Sequence, residues 1–311
     1  MKGVEEAALK YFTRRLESSS DSEKPSPALA AIETLYNVIV KEGDASTVVE
    51  LTEELQGALA ALQRTDQSNI SVKSAGELFM RFISLASLEQ PDFDGCRRVL
   101  VERGRLFIDR VARSREKICS HALRFLKDGK RILVHSRSGV VAEVLRTAAQ
   151  SAGRSFQVFV TESRPNDAGR RMKAALDEAG VPATLILDAA VGYVMEKVDF
   201  VLLGAEAVME TGGVINKIGT LNVAFAAKLS KKPVYVVCES VKFMRQYPLN
   251  QSDVPDTFKY PYSVRNRPGE TFSHEHPLVD YTPPEYLNLL FTDLGILTTA
   301  AVSEELIKLY L

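Results

Sequence analysis

Hydrophobic positions follow two different rhythms along this chain. Up to about residue 125 they recur at helical spacing. Residues 4–16 carry such a stripe, and residues 28–41 set Ile32, Leu35, Ile39 and Val40 on one face. Residues 46–62 repeat it, with Ser46 as N-cap and Glu50 in the first turn. Residues 74–88 present a wide apolar face of Leu78, Phe79, Phe82, Ile83 and Leu85. Residues 93–126 read as one long helix, with Val99, Leu100, Leu106, Phe107, Val111, Ile118, Leu123 and Phe125 available for packing. The polar stretch 18–27, rich in Ser, Pro, Asp and Lys, is a solvated loop.

At Asp128-Gly129 the rhythm changes. Short apolar runs at 131–134, 156–161, 183–187, 200–203 and 233–238 alternate with amphipathic segments at 139–152, 168–179 and 220–229. Runs this short and this apolar suit buried strands, and their alternation with helices predicts a parallel, doubly wound sheet. The expected organisation is α/β overall: a helical domain over 1–127, then a mainly parallel α/β domain over 128–311. Residues 247–277 form a Pro-rich irregular excursion. Residues 287–311 return to strand and helix. They end on Ile307, Leu309, Tyr310 and Leu311, too apolar for a free tail, so this end is expected to dock against the protein or a partner.

Composition narrows the function classes. The 311 residues carry a net charge of -1, so the chain as a whole lacks the basic footprint of a nucleic-acid binder. Cys96, Cys119 and Cys238 are far apart without a CxxC pair, which argues against a disulfide framework or zinc site and fits a reducing compartment. No apolar run approaches the ~20 residues of a membrane span, and the first residues lack the apolar core of a signal peptide. A cytosolic protein is expected. Neither GxxxxGK[ST] nor GxGxxG occurs, so a nucleotide cofactor has no motif support. His274 and His276 lie in the Pro-rich excursion without Cys neighbours and read as surface residues, not metal ligands.

Candidate chemistry gathers where the predicted strands end, since ligands of open α/β sheets bind outside the carboxyl ends of the strands. The first run leads into His135-Ser136-Arg137-Ser138-Gly139, the second into Thr161-Glu162-Ser163-Arg164-Pro165, the third into Asp188 and the fourth into Gly204-Ala205-Glu206. Asn216-Lys217-Ile218-Gly219-Thr220 follows in what reads as one loop before a helix. A carboxylate, an amide, an ammonium and free N–H groups at helix starts suit a polyhydroxylated anion such as a sugar phosphate. Arg137 and Arg164 are the natural bidentate partners for its phosphate. His135 reads either as a general base or as a core histidine bonded to backbone, and Asp188 as the cap of a helix starting at Ala189.

Several motifs carry a family resemblance along nearly the whole chain. Ser74-Ala75-Gly76-Glu77-Leu78-Phe79-Met80-Arg81-Phe82-Ile83-Ser84, Asp188-Ala189-Ala190-Val191-Gly192-Tyr193, Pro248-Leu249-Asn250-Gln251, Phe291-Thr292-Asp293-Leu294-Gly295 and the closing Glu305-Leu306-Ile307-Lys308-Leu309-Tyr310-Leu311 resemble the alpha subunits of eukaryotic translation initiation factor 2B. The resemblance implies a helical domain joined to a Rossmann-like domain. It implies a homodimer that bridges the beta, gamma, delta and epsilon subunits into a decamer. That assembly exchanges guanine nucleotide on initiation factor 2 and senses its phosphorylated alpha subunit.

The wider family includes methylthioribose-1-phosphate and ribose-1,5-bisphosphate isomerases. Their Cys after the first strand and Asp in a Gly-Ala-Asp motif correspond here to Ser136 and Glu206. A thiol with a pKa of ~8.5 shares protons near neutrality, whereas a serine hydroxyl needs a partner base. Glu206 keeps the charge but reaches one methylene further. The expectation is a non-catalytic regulatory subunit that binds a sugar phosphate through His135, Ser136, Arg137, Ser138, Glu162, Ser163, Arg164, Glu206, Asn216 and Lys217. It needs no cofactor or metal and contacts neither nucleic acid nor membrane. The alternative is an active aldose–ketose isomerase with an atypical Ser/Glu pair.

Overall fold

A computed structural model describes residues 2–17, 25–41, 45–65, 69–87, 92–259 and 277–310. The chain forms two compact units, Met1–Arg113 with Lys308–Leu311, and Ser114–Ile307. The division falls earlier than the expected 127/128 boundary, so the segment just before the first strand belongs to the α/β unit.

The helical unit contains α1 (Lys2–Glu17), α2 (Pro27–Val40), α3 (Val48–Leu62), α4 (Asn69–Ser87) and α5 (Phe93–Ala112). Helix α2 opens on Ser26, whose hydroxyl accepts the Leu29 N–H, with Pro27 in the first turn. The cap of α3 is Thr47 rather than the expected Ser46, because a capping box needs its hydroxyl three residues before Glu50. Ser46 instead donates its N–H and hydroxyl to the Glu50 carboxylate. Helix α4 starts earlier than expected, since Ile70 and Val72 are buried as well. Phe12, Ile32, Leu35, Ile39, Leu55, Leu62 and Phe79 fill the core. Val40 and Leu106, expected on packing faces, stand exposed.

The long helix expected over 93–126 is instead two. Helix α5 ends at Ala112 with Arg113 as its C-cap, and α6 (Ser114–Ala122) follows at once. No proline or glycine marks this break. Phe125, beyond α6, leaves the helix to pack against Tyr235 at 5.3 Å and Phe291 at 4.8 Å, so tertiary packing overrides propensity.

The α/β unit runs on through β1 (Arg131–Val134), α7 (Gly139–Gln150), β2 (Gln157–Thr161), α8 (Ala168–Glu178), β3 (Ala183–Ile186), α9 (Val191–Met195), β4 (Phe200–Leu203), β5 (Ala207–Met209), β6 (Val214–Lys217), α10 (Thr220–Leu229), β7 (Val234–Val237), β8 (Phe243–Met244), α11 (Asp256–Lys259), β9 (Val279–Thr282), β10 (Leu289–Thr292) and β11 (Gly295–Leu297). Helix α12 (Val302–Tyr310) closes the described chain. The main sheet has the order β11-β10-β7-β4-β1-β2-β3. Its pairs are parallel except β10 with β11. Every residue of β4 is buried, as a strand covered on both faces requires. The expected α/β class with a mainly parallel sheet is what the structure contains.

A second sheet, β8-β5-β6-β9, was not foreseen. Its strands are two to four residues long, too short for a period of two to stand out. As a result Asn216 and Lys217 lie on strand β6 and not in a loop. At the chain end Val302 and Leu306 are the buried residues of α12, whereas Ile307 is half exposed. Most of the Pro-rich excursion, with His274 and His276, lies outside the described residues, as do the 18–24 loop and Leu311.

Candidate functional site

The chain builds β1, β2 and β3 toward one side of the main sheet, then places β4, β7 and β10 on the other side of β1. This reversal makes the carboxyl ends of β1 and β4 the topological switch point, where α/β proteins open a ligand crevice. The loops after β4, β1, β2 and β3 are neighbours in that order. Three non-glycine residues there, Ser136, Ser163 and Asp167, have left-handed backbones. Such conformations are disfavoured by sterics and gather at functional sites.

After β1, His135 is buried and bonded at both ring nitrogens. Its Nε2 lies 2.8 Å from the Ile218 carbonyl and its Nδ1 2.7 Å from the Thr161 hydroxyl. A carbonyl can only accept, so Nε2 carries the proton and Nδ1 accepts from Thr161. The same hydroxyl accepts the Ser136 N–H at 3.2 Å. Burial depresses the imidazole pKa below its ordinary value, against the favourable Ile218 carbonyl. His135 is therefore a neutral core histidine that ties β1 to β2 and to the start of α10. Gly219 permits this, since a methyl there would press on the ring at 3.0 Å. Ser136 follows with its hydroxyl buried and without a partner among the described residues. Arg137 and Ser138 are half-buried, and the Ser138 hydroxyl caps α7 at the Val141 N–H. Gly204, just past β4, lies so close to Ser138 that any side chain there would overlap it.

Asp188, after β3, acts across the sheet edge on the loop that follows β2. Its carboxylate accepts the Ser163 N–H at 2.9 Å and the Arg164 N–H at 2.8 Å. It holds the neighbouring loop instead of capping its own helix, which begins as a short 3-10 turn without a side-chain cap. Ser163 is buried, whereas Arg164 is exposed and pairs with the largely buried Glu162 at 3.5 Å. Asp167 pairs with Arg170 at 2.8 Å.

After β4, Glu206 pairs with Lys217 at 3.0 Å, both mostly buried. Asn216 is buried and donates its amide to Thr220 Oγ1 at 3.1 Å. The amino end of α10, expected to offer free N–H groups, is already occupied. Asp280 on β9 accepts the Gly219 N–H at 2.8 Å and the Leu221 N–H at 3.1 Å. Burial raises its carboxyl pKa against those two donors.

The same edge holds charges that sequence reasoning passed over. Glu239, just past β7, is buried between Arg115 of α6 at 3.2 Å and Lys242 at 3.2 Å. Burial alone would raise this carboxyl, but the two cations outweigh it and hold it at about 2. Lys242 also donates to the Ala205 carbonyl at 3.0 Å, next to Glu206. Arg115 precedes the first strand by many residues, so no motif joined it to the strand ends. A Pro-Arg-Tyr-lined cavity of about 350 Å³ lies elsewhere, between Ile215, Arg245, Gln246, Tyr247, Pro248 and residues 253–255. Its walls include none of the expected binding residues. No cluster of His, Cys, Asp and Glu suited to a metal occurs among the described residues. Nor is any described helix long and apolar enough to cross a membrane.

A family model described as the Initiation factor 2 subunit family matches residues 21–299. The chain belongs to this family. Within the Initiation factor 2 subunit family, it is 47% identical over 311 residues to a Caenorhabditis elegans protein named translation initiation factor eIF2B subunit alpha, covering 99% of this chain and 100% of that one. It is 30% identical to a ribose 1,5-bisphosphate isomerase of Archaeoglobus fulgidus, covering 85% of this chain and 82% of the isomerase. Among solved structures, the fold is shared with the tetrameric eIF2B-beta2-delta2 complex from C. thermophilum, at a TM-score of 0.75 and 22% identity, covering 99% of this chain and 95% of that one. The family resemblance read from the motifs therefore holds.

Proposed function

We propose that this chain is the alpha, regulatory subunit of the guanine nucleotide exchange factor that serves translation initiation factor 2. The observation that carries this reading is identity of 47% from end to end with a protein named as that subunit, through both the helical and the α/β unit. On this reading the chain forms a homodimer through its α/β unit and joins the beta, gamma, delta and epsilon subunits in a decamer. The complex then responds to the phosphorylated alpha subunit of initiation factor 2. Exposed Leu187, Tyr193 and Leu229 on the α/β unit support a role in protein contacts. The chain works in the cytosol without a cofactor, metal, membrane or nucleic acid of its own.

The carboxyl edge of the main sheet binds a sugar phosphate as a regulatory ligand and does not turn it over. Support comes from the strained Ser136 and Ser163 loops, the unpartnered Ser136 hydroxyl and the Glu206–Lys217 pair. Ser136 lacks a partner base, because the adjacent His135 spends both nitrogens on Thr161 and Ile218. Ligand binding without selective stabilisation of a transition state gives affinity and no rate. It tilts assembly by its differential affinity for the assembled and free states.

Sedimentation of the purified chain, alone and with the other subunits, tests the assembly reading. A mass of two chains alone, and a larger complex containing two copies with the partners, is expected. A monomer at micromolar concentration that leaves the partners' mass unchanged would refute it.

A further inference from the structure

Arg115 reaches the sugar-phosphate edge from outside the strand-end motifs. Its Nε bonds the Glu239 carboxylate after β7, while its terminal amines face Gly139 at the start of α7, 3.6 and 3.9 Å from where a methyl would stand. In the sheet, β4 lies between β7 and β1. A guanidinium held between the segment after β7 and the start of α7 after β1 therefore lies on the switch-point edge that includes β4. Nη1 and Nη2 have no hydrogen-bond partner among the described residues. The side chain is 31% exposed, and the bond to buried Glu239 fixes its direction.

Two further features bear on this fork. The buried Ser136 hydroxyl, in the same β1–α7 loop as Gly139, has no partner. Arg164, by comparison, is 61% exposed and turned to Glu162. A planar fork with two open amines, held rigidly at one end, matches an oxyanion better than a solvated arginine that must first be ordered.

We infer that Arg115 is a phosphate-contacting residue of this edge, binding the phosphomonoester of a sugar phosphate through Nη1 and Nη2 beside Gly139. Glu239 is its positioning residue. The inference rests on the sugar-phosphate reading above and names the group that holds the anion.

The test is calorimetric titration of the full chain with ribose 1,5-bisphosphate and with a hexose 6-phosphate. Parent, Arg115→Lys, Gly139→Ala and a control, Arg154→Ala, are compared. Arg115→Lys keeps a cation for Glu239 but loses the fork. Gly139→Ala adds a methyl at ordinary contact distance from the guanidinium, so it crowds an anion there without disturbing the fold. Arg154 pairs with Asp128, before β1, at the opposite end of the strand. The expected result is a loss of affinity of tenfold or more in both Arg115→Lys and Gly139→Ala, an unchanged control, and an unchanged melting temperature of ligand-free Gly139→Ala. If Arg115→Lys fails to fold, Gly139→Ala decides. A parent that binds with both variants within twofold of it overturns this inference and leaves the sugar-phosphate reading standing. A parent that binds neither compound overturns both.

Discussion

Glu206 and Lys217 form an ion pair of 3.0 Å across the mouth of the β5–β6 hairpin. The Glu206 N–H donates to the Ile215 carbonyl at 2.9 Å, so the pair is fixed by backbone and not by side chains alone. On the proposed sugar-phosphate reading, this carboxylate and ammonium hold the sugar hydroxyls. A ligand that binds only the folded state at ~100 times its dissociation constant stabilises it by ~2.7 kcal/mol. Lys217→Ala is expected to abolish that gain for every sugar phosphate that stabilises the parent. Thermal unfolding with and without ligand reads it directly, and a full shift in the variant would place the site elsewhere.

Catalysis is expected to be absent. Incubation with ribose 1,5-bisphosphate, methylthioribose 1-phosphate and hexose phosphates, followed by NMR, is expected to show no product above background. Glu206→Asp alone is expected to gain none, because the hydroxyl of Ser136 still has no base. Turnover that disappears in Glu206→Gln would favour the isomerase alternative.

His135 links acidity to stability. Its folded pKa lies below the unfolded value of ~6.5, so the unfolded chain binds the extra proton. The stabilisation is complete above ~6.5 and is lost as pH falls toward the depressed folded pKa. His135→Ala is expected to remove this part of the pH dependence. It is also expected to destabilise by about 1–3 kcal/mol for the polar partners it strands, Thr161 and Ile218. Urea unfolding between neutral and mildly acidic pH measures both effects.

Glu239 acts in the same direction at lower pH, through a charged group in place of a neutral one. Its carboxyl is depressed from 4.5 to about 2, so its stabilisation is present above 4.5 and fades as pH falls toward 2. The linkage is roughly 3 kcal/mol. Glu239→Gln leaves Arg115 and Lys242 without their shared carboxylate and is expected to cost about 3–5 kcal/mol at neutral pH. Its acid unfolding is expected to be flatter than the parent's over that window.

Gly169 tests backbone packing at the same edge. A methyl there would overlap the Thr161 carbonyl, which belongs to β2 and cannot turn aside as a side chain can. Gly169→Ala is expected to destabilise by about 1–3 kcal/mol or more, a cost of overpacking. Equilibrium unfolding checks it, and a neutral effect would mean that α8 shifts freely on β2.

Much of this architecture was legible in the sequence for a simple reason. β1, β2, β4 and β7 are short and largely apolar, and β1, β2 and β3 alternate with the amphipathic helices α7 and α8, which are the signals that a parallel sheet gives. The strand-end residues followed from that topology. What escaped notice had no local signal. Strands β5, β6, β8 and β9 are too short for periodicity, so Asn216 and Lys217 looked like loop residues. The α5–α6 break carries no proline or glycine, and the helix stops short of Phe125, which packs on Phe291, a contact distant in sequence. Asp280 and Arg115 reach the site from β9 and α6, across separations that no spacing rule covers.

Asp280 and Asn216 stand opposite each other on β9 and β6, and both grip the first turn of α10. Folding thus completes the scaffold around Lys217 in advance. A visiting anion has no helix end to order and no segment of that hairpin to freeze, so little of its binding energy goes into preorganising the host. On the proposed sugar-phosphate reading, selectivity at such an edge then rests on side chains and not on the ordering of backbone.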